Sequence, residues 1–346
     1  MKRRNFLRMV GGVTAAGGLG IERLLADFKT DDDIVGRVAG LPRRVLGRTQ
    51  QQISIVGFPG LGLIRVDQEG ANKAVRESFD QGVNYYDVAP AYGNDGECEI
   101  KLGPALRQLD RSKVFLGCKT KARDKEGART ELERSLKRLQ TDHFDLYQLH
   151  HLVTVEEVKR AFGPGGAFET FLAAREEGKV KWFGFSAHST KAALAALEAH
   201  AFETVMFPIS FADYYLRDFG RAVIDAAAKR GSAVIAIKPL SMGAWPKDVS
   251  RTRSWWYRTT ETPEEVSLAL RFSLSLRGVI TGIPPSYLDL LDKSITAAKG
   301  YEPATAAEKD ELRVLAQKCE ALFLREDQRG DTAGVPPVCP YPDHLV

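Results

Sequence analysis

The chain has 346 residues, 44% apolar and 27% charged, which suits a soluble globular protein large enough for one barrel-sized core. No stretch is apolar for long enough to read as a membrane span. Five basic residues against one acid within residues 1–26 account for the whole net charge of +4. The body carries 44 charges of each sign, which disfavours a nucleic-acid partner.

Residues 1–26 open with Lys2, Arg3 and Arg4, continue through Phe6-Leu7-Arg8, and pass into a weakly apolar, glycine-rich run from Met9 to Leu19. A basic head before an apolar run reads as a targeting segment. The arginine pair resembles a bacterial twin-arginine signal, the export route for proteins that fold before crossing the membrane. A disordered basic tail is the alternative. The expectation is an exported, periplasmic protein that meets the export machinery, with cleavage near Ala26 or retention as a membrane tether both open.

Residues 27–43 are polar and aperiodic and read as a linker. From residue 44 to 300 the chain alternates strand and helix. Residues 53–58 read as the first strand, with Pro59-Gly60-Leu61-Gly62 as the loop after it, and a helix follows over 68–81. Strands are then expected near 83–87, 113–119, 145–150, 180–186, 204–209, 233–238 and 278–283. Helices are expected between them near 97–109, 128–139, 155–177, 216–229 and 263–276, with a last one at 287–298. Such strict alternation over this length predicts an α/β (β/α)8 TIM barrel, with an open Rossmann sheet as runner-up. Against the open sheet, no Gly-x-Gly-x-x-Gly links the first strand to its helix, and Gly163-Pro164-Gly165-Gly166 reads as a break inside a helical region. Residues 241–262 interrupt the pattern with Trp245, Trp255, Trp256 and Tyr257. This segment follows a strand's carboxyl end, so it either shapes a pocket at the barrel mouth or only buries itself against the barrel. Residues 301–346 read as a helix over 305–324 and a proline-rich tail.

Three successive strands end in reactive side chains: Asp87 with Tyr92 just beyond it, Lys119, and His150. In a parallel α/β barrel the active site lies at these strand ends. The chain here resembles the aldo-keto reductases, nicotinamide-dependent (β/α)8 barrels with an Asp, Tyr, Lys, His tetrad in this order. The resemblance covers roughly residues 44–298, through Arg44-Val45-Leu46-Gly47-Arg48-Thr49, the Asp87 to Tyr92-Gly93 segment, Lys119, and Asp145-x-Tyr147-x-x-His150. It implies a hydride transfer that interconverts a small aldehyde or ketone and its alcohol.

The cofactor supplies the hydride, so a protein acid must supply the proton. Tyr92 takes that part, with Lys119 as the cation that favours the phenolate, Asp87 as the counter-charge to Lys119, and His150 as the group orienting the substrate oxygen. Each has a structural competitor: an ion pair, a packed aromatic, a core histidine. The Asp-x-Tyr-x-x-His spacing selects His150, and strand alternation turns His151 to the opposite face. No histidine pair has a metal-ligand spacing, so no catalytic metal is expected.

The family's cofactor pattern is kept only in part. Ser186 stands where a Ser-Asn pair is usual, with Ala187 after it. Phe207-Pro208 replaces the usual glutamine, and Lys238-Pro239-Leu240 replaces a stacking aromatic with a cation able to reach a phosphate. Ser286 follows Ile283-Pro284-Pro285, and Leu290 and Leu291 stand in the region of an expected phosphate-gripping arginine, with Lys293 a possible substitute. The resemblance therefore implies NADPH, with NADH possible, and Gly60, Ser186, Lys238, Leu240 and Ser286 as cofactor contacts. Only Cys319 and Cys339 are near one another, too few thiolates for an iron–sulfur cluster, though an exported chain could pair them. A degenerate barrel that binds a sugar, a carbonyl compound or a partner protein without turnover is the alternative function.

Overall fold

The computed structural model describes residues 33–323. Three short strands, β1 (Gly36–Val38), β2 (Leu41–Val45) and β3 (Gln52–Ser54), form an antiparallel meander. Eight parallel strands follow, each paired with the next in the chain. They are β4 (Phe58–Pro59), β5 (Tyr85–Asp87), β6 (Phe115–Thr120), β7 (Phe144–Leu152), β8 (Val180–Ala187), β9 (Thr204–Pro208), β10 (Ala233–Ile237) and β11 (Val279–Ile283). The ring closes where Gly57 N donates to Gly282 O at 3.0 Å and Gly282 N to Ile55 O at 2.9 Å. This is the (β/α)8 barrel that strict alternation predicts.

The covering helices are α1 (Gln68–Asp80), α2 (Glu97–Leu106), α3 (Lys125–Leu139), α4 (Val155–Phe162), α5 (Ala167–Glu176), α6 (Thr190–Ala199), α7 (Phe211–Arg217), α8 (Arg221–Arg230), α9 (Pro263–Leu274), α10 (Leu288–Lys299) and α11 (Ala306–Ala316). Most begin where a short polar side chain takes an otherwise unpaired backbone N–H. Asp67 caps α1, Asp124 caps α3, and Thr154, Thr262 and Thr305 close reciprocal capping boxes with Glu157, Glu265 and Glu308. Among the described residues no helix is long and apolar enough to cross a membrane.

Period-two geometry sorts each strand's side chains into two cores. Leu116, Cys118, Tyr86, Tyr147 and Leu149 face the helices, whereas Tyr85, Phe115, Leu146, Met206 and Ile235 fill the barrel interior with Leu46 and Ile53 from the meander. Asp87, Lys119 and His150 therefore lie on the inward face, at the carboxyl ends of β5, β6 and β7.

Several boundaries differ from expectation. The stretch expected as one first strand over 53–58 serves two sheets: β3 belongs to the meander, while residues 55–57 bridge to Gly282 and Phe58–Pro59 pairs with β5. Within the expected linker, β1 and most of β2 are strand. The polar residue at the end of that segment is buried, as is Arg44 beside it, whose guanidinium donates to Leu274 O, Val279 O and the Tyr301 hydroxyl. The helix expected over 155–177 is α4 and α5, parted at the Gly-Pro-Gly-Gly break. The last helix stops at Ala316, and the chain beyond it turns back over the barrel mouth. There Asp213 accepts the N–H groups of Leu322 and Phe323 at 2.7 and 3.0 Å, and Glu320 O meets Gly243, where a Cβ would lie 1.8 Å away. Residues 1–32, with the expected signal segment, lie outside the described residues.

Candidate active site

Lys119 is the hub. Its ammonium, fully buried, donates to Asp87 Oδ2 at 2.6 Å, to the Tyr92 hydroxyl at 3.1 Å and to Val88 O at 3.2 Å. Asp87 Oδ1 receives a second hydrogen bond, from the Tyr85 hydroxyl at 3.2 Å. Tyr92 reaches the site from a turn after β5, in which its own N–H bonds Ala89 O. His150 stands edge-on to the Tyr92 ring, centroids 5.6 Å apart, and its buried Nδ1 makes no hydrogen bond. Arg123 holds this strand end from outside, donating to His150 O at 2.8 Å and to Glu157 at 2.9 Å.

Burial sets most of the ionisation. It lowers the Lys119 ammonium, but Asp87 and Tyr92 more than offset it and hold the group above the ordinary lysine value. Asp87 is raised by burial, with Lys119 pulling it back. Tyr92 is pushed up to about 12 by burial, and Lys119 offsets only part of this. The lysine thus acts in the direction that favours the phenolate, against the larger effect of burial. His150 is held well below the ordinary histidine value by burial and by the Lys119 charge, so its ring is neutral.

A cleft enclosing about 610 Å³, part of it open to solvent, begins at these side chains. Gly60, Ser186, Lys238 and Ser286 line it together with Asp87, Tyr92 and His150. Gly60 has a packing reason to be glycine, because a Cβ there would sit 2.3 Å from Asp87 O. Ser186 Oγ accepts the His151 N–H at 2.7 Å. Lys238, with a left-handed backbone (φ 61°), brings its ammonium to 3.2 Å from His188 Nε2. Leu240, expected at the cofactor, is fully buried in the hydrophobic core and does not line the cleft, because the turn at Lys238 carries the next residues inside. Lys293 is turned to Glu261 O at 2.8 Å and is not part of the cleft wall.

One wall residue, His188, was not anticipated. His188 lines the cleft two positions beyond Ser186, and its only sequence signal is that place just after a strand end. His151 does not turn away as alternation requires. Between Leu149 and Leu152, His150 and His151 of β7 oppose the single Ser186 of β8, His151 takes φ 59°, and its ring centroid lies 4.4 Å from that of His188. Trp255 and Tyr257 are both buried and line the cleft, so the aromatic segment packs and shapes the pocket at once, while Trp245 and Trp256 stand outside the wall. Among the described residues no group of three His, Cys, Asp or Glu side chains is arranged to hold a metal ion. Cys319 is a free thiol, and Cys339 lies outside the described residues.

Comparison with known proteins agrees with this geometry. Residues 55–287 match the aldo/keto reductase family. An L-galactose dehydrogenase of Arabidopsis thaliana is 28% identical over 216 residues, 58% of this chain and 66% of that protein. A probable aldo-keto reductase of Glycine max is 26% identical over 215 residues, 57% of this chain and 59% of that protein. The chain thus spans somewhat under two thirds of these relatives' lengths. The holo form of the aldo-keto reductase AKR11C1 from Bacillus halodurans superposes with a TM-score of 0.67 at 24% identity, covering 84% of this chain and all of that one, which shows the shared fold.

Proposed function

The chain belongs to the aldo/keto reductase family, and we propose that it is an NAD(P)H-dependent oxidoreductase that reversibly reduces an aldehyde or ketone, with Tyr92 as general acid. One observation carries the reading. A fully buried ammonium bridges a carboxylate at 2.6 Å and a phenol at 3.1 Å on the wall of a cleft.

The cleft suits a dinucleotide. The Lys238 cation, the Ser186 and Ser286 hydroxyls, the Gly60 backbone and the faces of Trp255 and Tyr257 share one wall with Tyr92. Lys238, Ser186, Gly60 and Ser286 would hold it, and when bound a reduced nicotinamide supplies a hydride to the carbonyl carbon. NADPH is the favoured form, with NADH as the alternative. Tyr92 gives its proton to the carbonyl oxygen, and the phenolate left behind is stabilised by Lys119, whose charge Asp87 balances. Neutral His150 offers a ring N–H to the same oxygen and so orients the substrate. With its phenol near 12, Tyr92 is fully protonated at neutral pH, the state that carbonyl reduction needs.

Export by a twin-arginine route is part of the proposal. The protein would fold and take up its cofactor before crossing, since a periplasm offers no obvious pool of reduced nicotinamide. Native mass spectrometry of protein from the envelope fraction tests this, and a nucleotide-free chain still carrying residues 1–26 in the cytosol would end it.

Fluorescence titration with NADPH and NADH, followed by kinetics of Tyr92→Phe, tests the activity. Nucleotide binding should survive the substitution while carbonyl reduction falls by about 10²–10⁴-fold. If neither nucleotide binds, the barrel is a binding protein without turnover.

A further inference from the structure

β5 carries two buried tyrosines that point opposite ways. Tyr86 turns outward to α1, where its hydroxyl donates to Val75 O at 3.1 Å. Tyr85 turns to the barrel axis among Leu46, Ile53, Phe115, Leu146 and Ile235, where a phenol is costly unless its oxygen is satisfied. It is satisfied by Asp87 Oδ1 at 3.2 Å, on the carboxylate whose other oxygen takes the Lys119 ammonium.

The flanking strands are shaped around this ring. A Cβ at Gly117, on β6, would lie 3.1 Å from the Tyr85 ring and 3.2 Å from its hydroxyl. One at Gly57, just before β4, would lie 3.0 Å from the ring. Two glycines on opposite sides therefore open a slot for a side chain that does not line the cleft. Its hydroxyl donates to Asp87, and Gln148 on β7 is a further polar neighbour.

We propose that Tyr85 is a positioning residue for the catalytic ion pair: its hydroxyl fixes the Asp87 carboxylate with Oδ2 presented to Lys119 and helps keep it ionised. This rests on the catalytic reading of Asp87 and Lys119 given above. The groups that face the carboxylate are Lys119 from β6, Tyr85 from its own strand and Tyr92 from the following loop, while β4 contributes only Phe58 and Pro59. Burial raises Asp87, and the Tyr85 hydroxyl acts against that rise alongside Lys119. Burial also raises Tyr85 well above the ordinary phenol value, so it stays a donor.

The test reads Asp87 directly, by 13C NMR of the full chain labelled at aspartate carboxyls, with Asp87→Asn identifying the signal. Tyr85→Phe keeps the ring in its slot and removes one oxygen. Asp87 should then titrate about one pH unit higher, and kcat should fall while KM and the NADPH Kd hold. Simple repacking would lower the melting temperature without moving the titration. Superimposable Asp87 titrations in the two proteins overturn the proposal, as does a carboxyl that stays ionised in both to the lowest pH at which they are folded. If Tyr85→Phe does not fold, Gly117→Ala, which crowds the same hydroxyl, is read against the same two outcomes. A Tyr92→Phe protein that turns over normally would defeat the catalytic reading instead, and it leaves the Asp87 titration to decide this one.

Discussion

Replacing Lys119 by methionine removes the one charge on which the site is built. Methionine fills much of the same volume, so the main loss is electrostatic. Asp87 would remain buried with the Tyr85 and Tyr92 hydroxyls but no cation in contact. Removing one partner of a buried pair costs about 3–5 kcal/mol, because the other charge is left uncompensated. At roughly 2–4 °C per kcal/mol, that lowers the melting temperature by about 10 °C. The loss is a large share of a typical total stability of about 5–15 kcal/mol.

The pH dependence gives the sharper test. A carboxyl whose folded pKa lies above its unfolded value, about 4, favours the folded state at low pH, and that contribution is lost as pH rises through the folded value. Asp87 is already raised, and without the ammonium it is raised further. The deficit of Lys119→Met should therefore be largest at neutral pH and narrow on acidification. Asp87→Asn in the same chain removes the stranded charge and should recover about 2 kcal/mol or more as a coupling energy. Urea unfolding followed by tryptophan fluorescence at pH 5 and pH 8, over the four proteins of the cycle, measures each of these. A deficit under about 1 kcal/mol that is additive with Asp87→Asn and indifferent to pH would refute a buried ion pair here.

Three further outcomes follow from the same geometry. Alcohol oxidation needs Tyr92 as a phenolate, so with the phenol near 12 its rate should climb close to tenfold per pH unit between pH 7 and 9 while carbonyl reduction stays flat; a plateau at pH 8 would contradict this. His151 is pushed down to about 3, mainly by burial, so it favours the folded state above the unfolded histidine value of about 6.5 and loses that favour as pH falls. Between pH 6 and 5, His151→Gln should make the fall in unfolding free energy shallower by about 1 kcal/mol per pH unit, measured by denaturant titration. Gly60→Ala places a Cβ 2.3 Å from Asp87 O, so the loop must shift. It should cost about 1–3 kcal/mol and lower kcat more than a surface substitution does, checked by calorimetry beside kinetics.

The catalytic side of the molecule was legible because period-two geometry carries chemistry with it. Tyr85, Phe115 and Leu146 face the barrel interior in the structure, and counting on by twos puts Asp87, Lys119 and His150 on the same face at the strand ends that the sequence marks. The count fails wherever the backbone leaves the ladder. His151 escaped for that reason: the extra residue between Leu149 and Leu152 is a backbone event, with no glycine or proline to announce it. The expected first strand failed for a related one, since an apolar run from Ile53 to Phe58 does not reveal where the chain leaves one sheet and joins another. Arg44, read as the opening of the barrel, can be buried there because its guanidinium is satisfied by two carbonyls and a hydroxyl from segments more than 200 residues away.

The rest of the cleft wall is assembled from turns and crossings, which explains why Leu240 was misplaced and His188 went unnoticed. Lys238 and Leu240 are two apart and would share a face in a strand, yet the left-handed backbone at Lys238 leaves the ammonium on the cleft wall and sends Leu240 into the core. His188 and Trp255, 67 positions apart in the sequence numbering, face one space only because the segment after β10 folds back across the mouth. That segment is pinned there from several directions. Arg253 binds both Glu261 and Asp289, the Tyr287 hydroxyl donates to Ser254 O, and Arg65 lies 3.9 Å over the Tyr287 ring. Apart from the Arg253 to Glu261 pair within the segment, these contacts join different parts of the chain, and their effect on the wall depends on the barrel having already closed. The Asp87, Lys119 and His150 cluster can therefore be read from strand positions, whereas the shape of the cleft beside it becomes readable only after the turns around it are known.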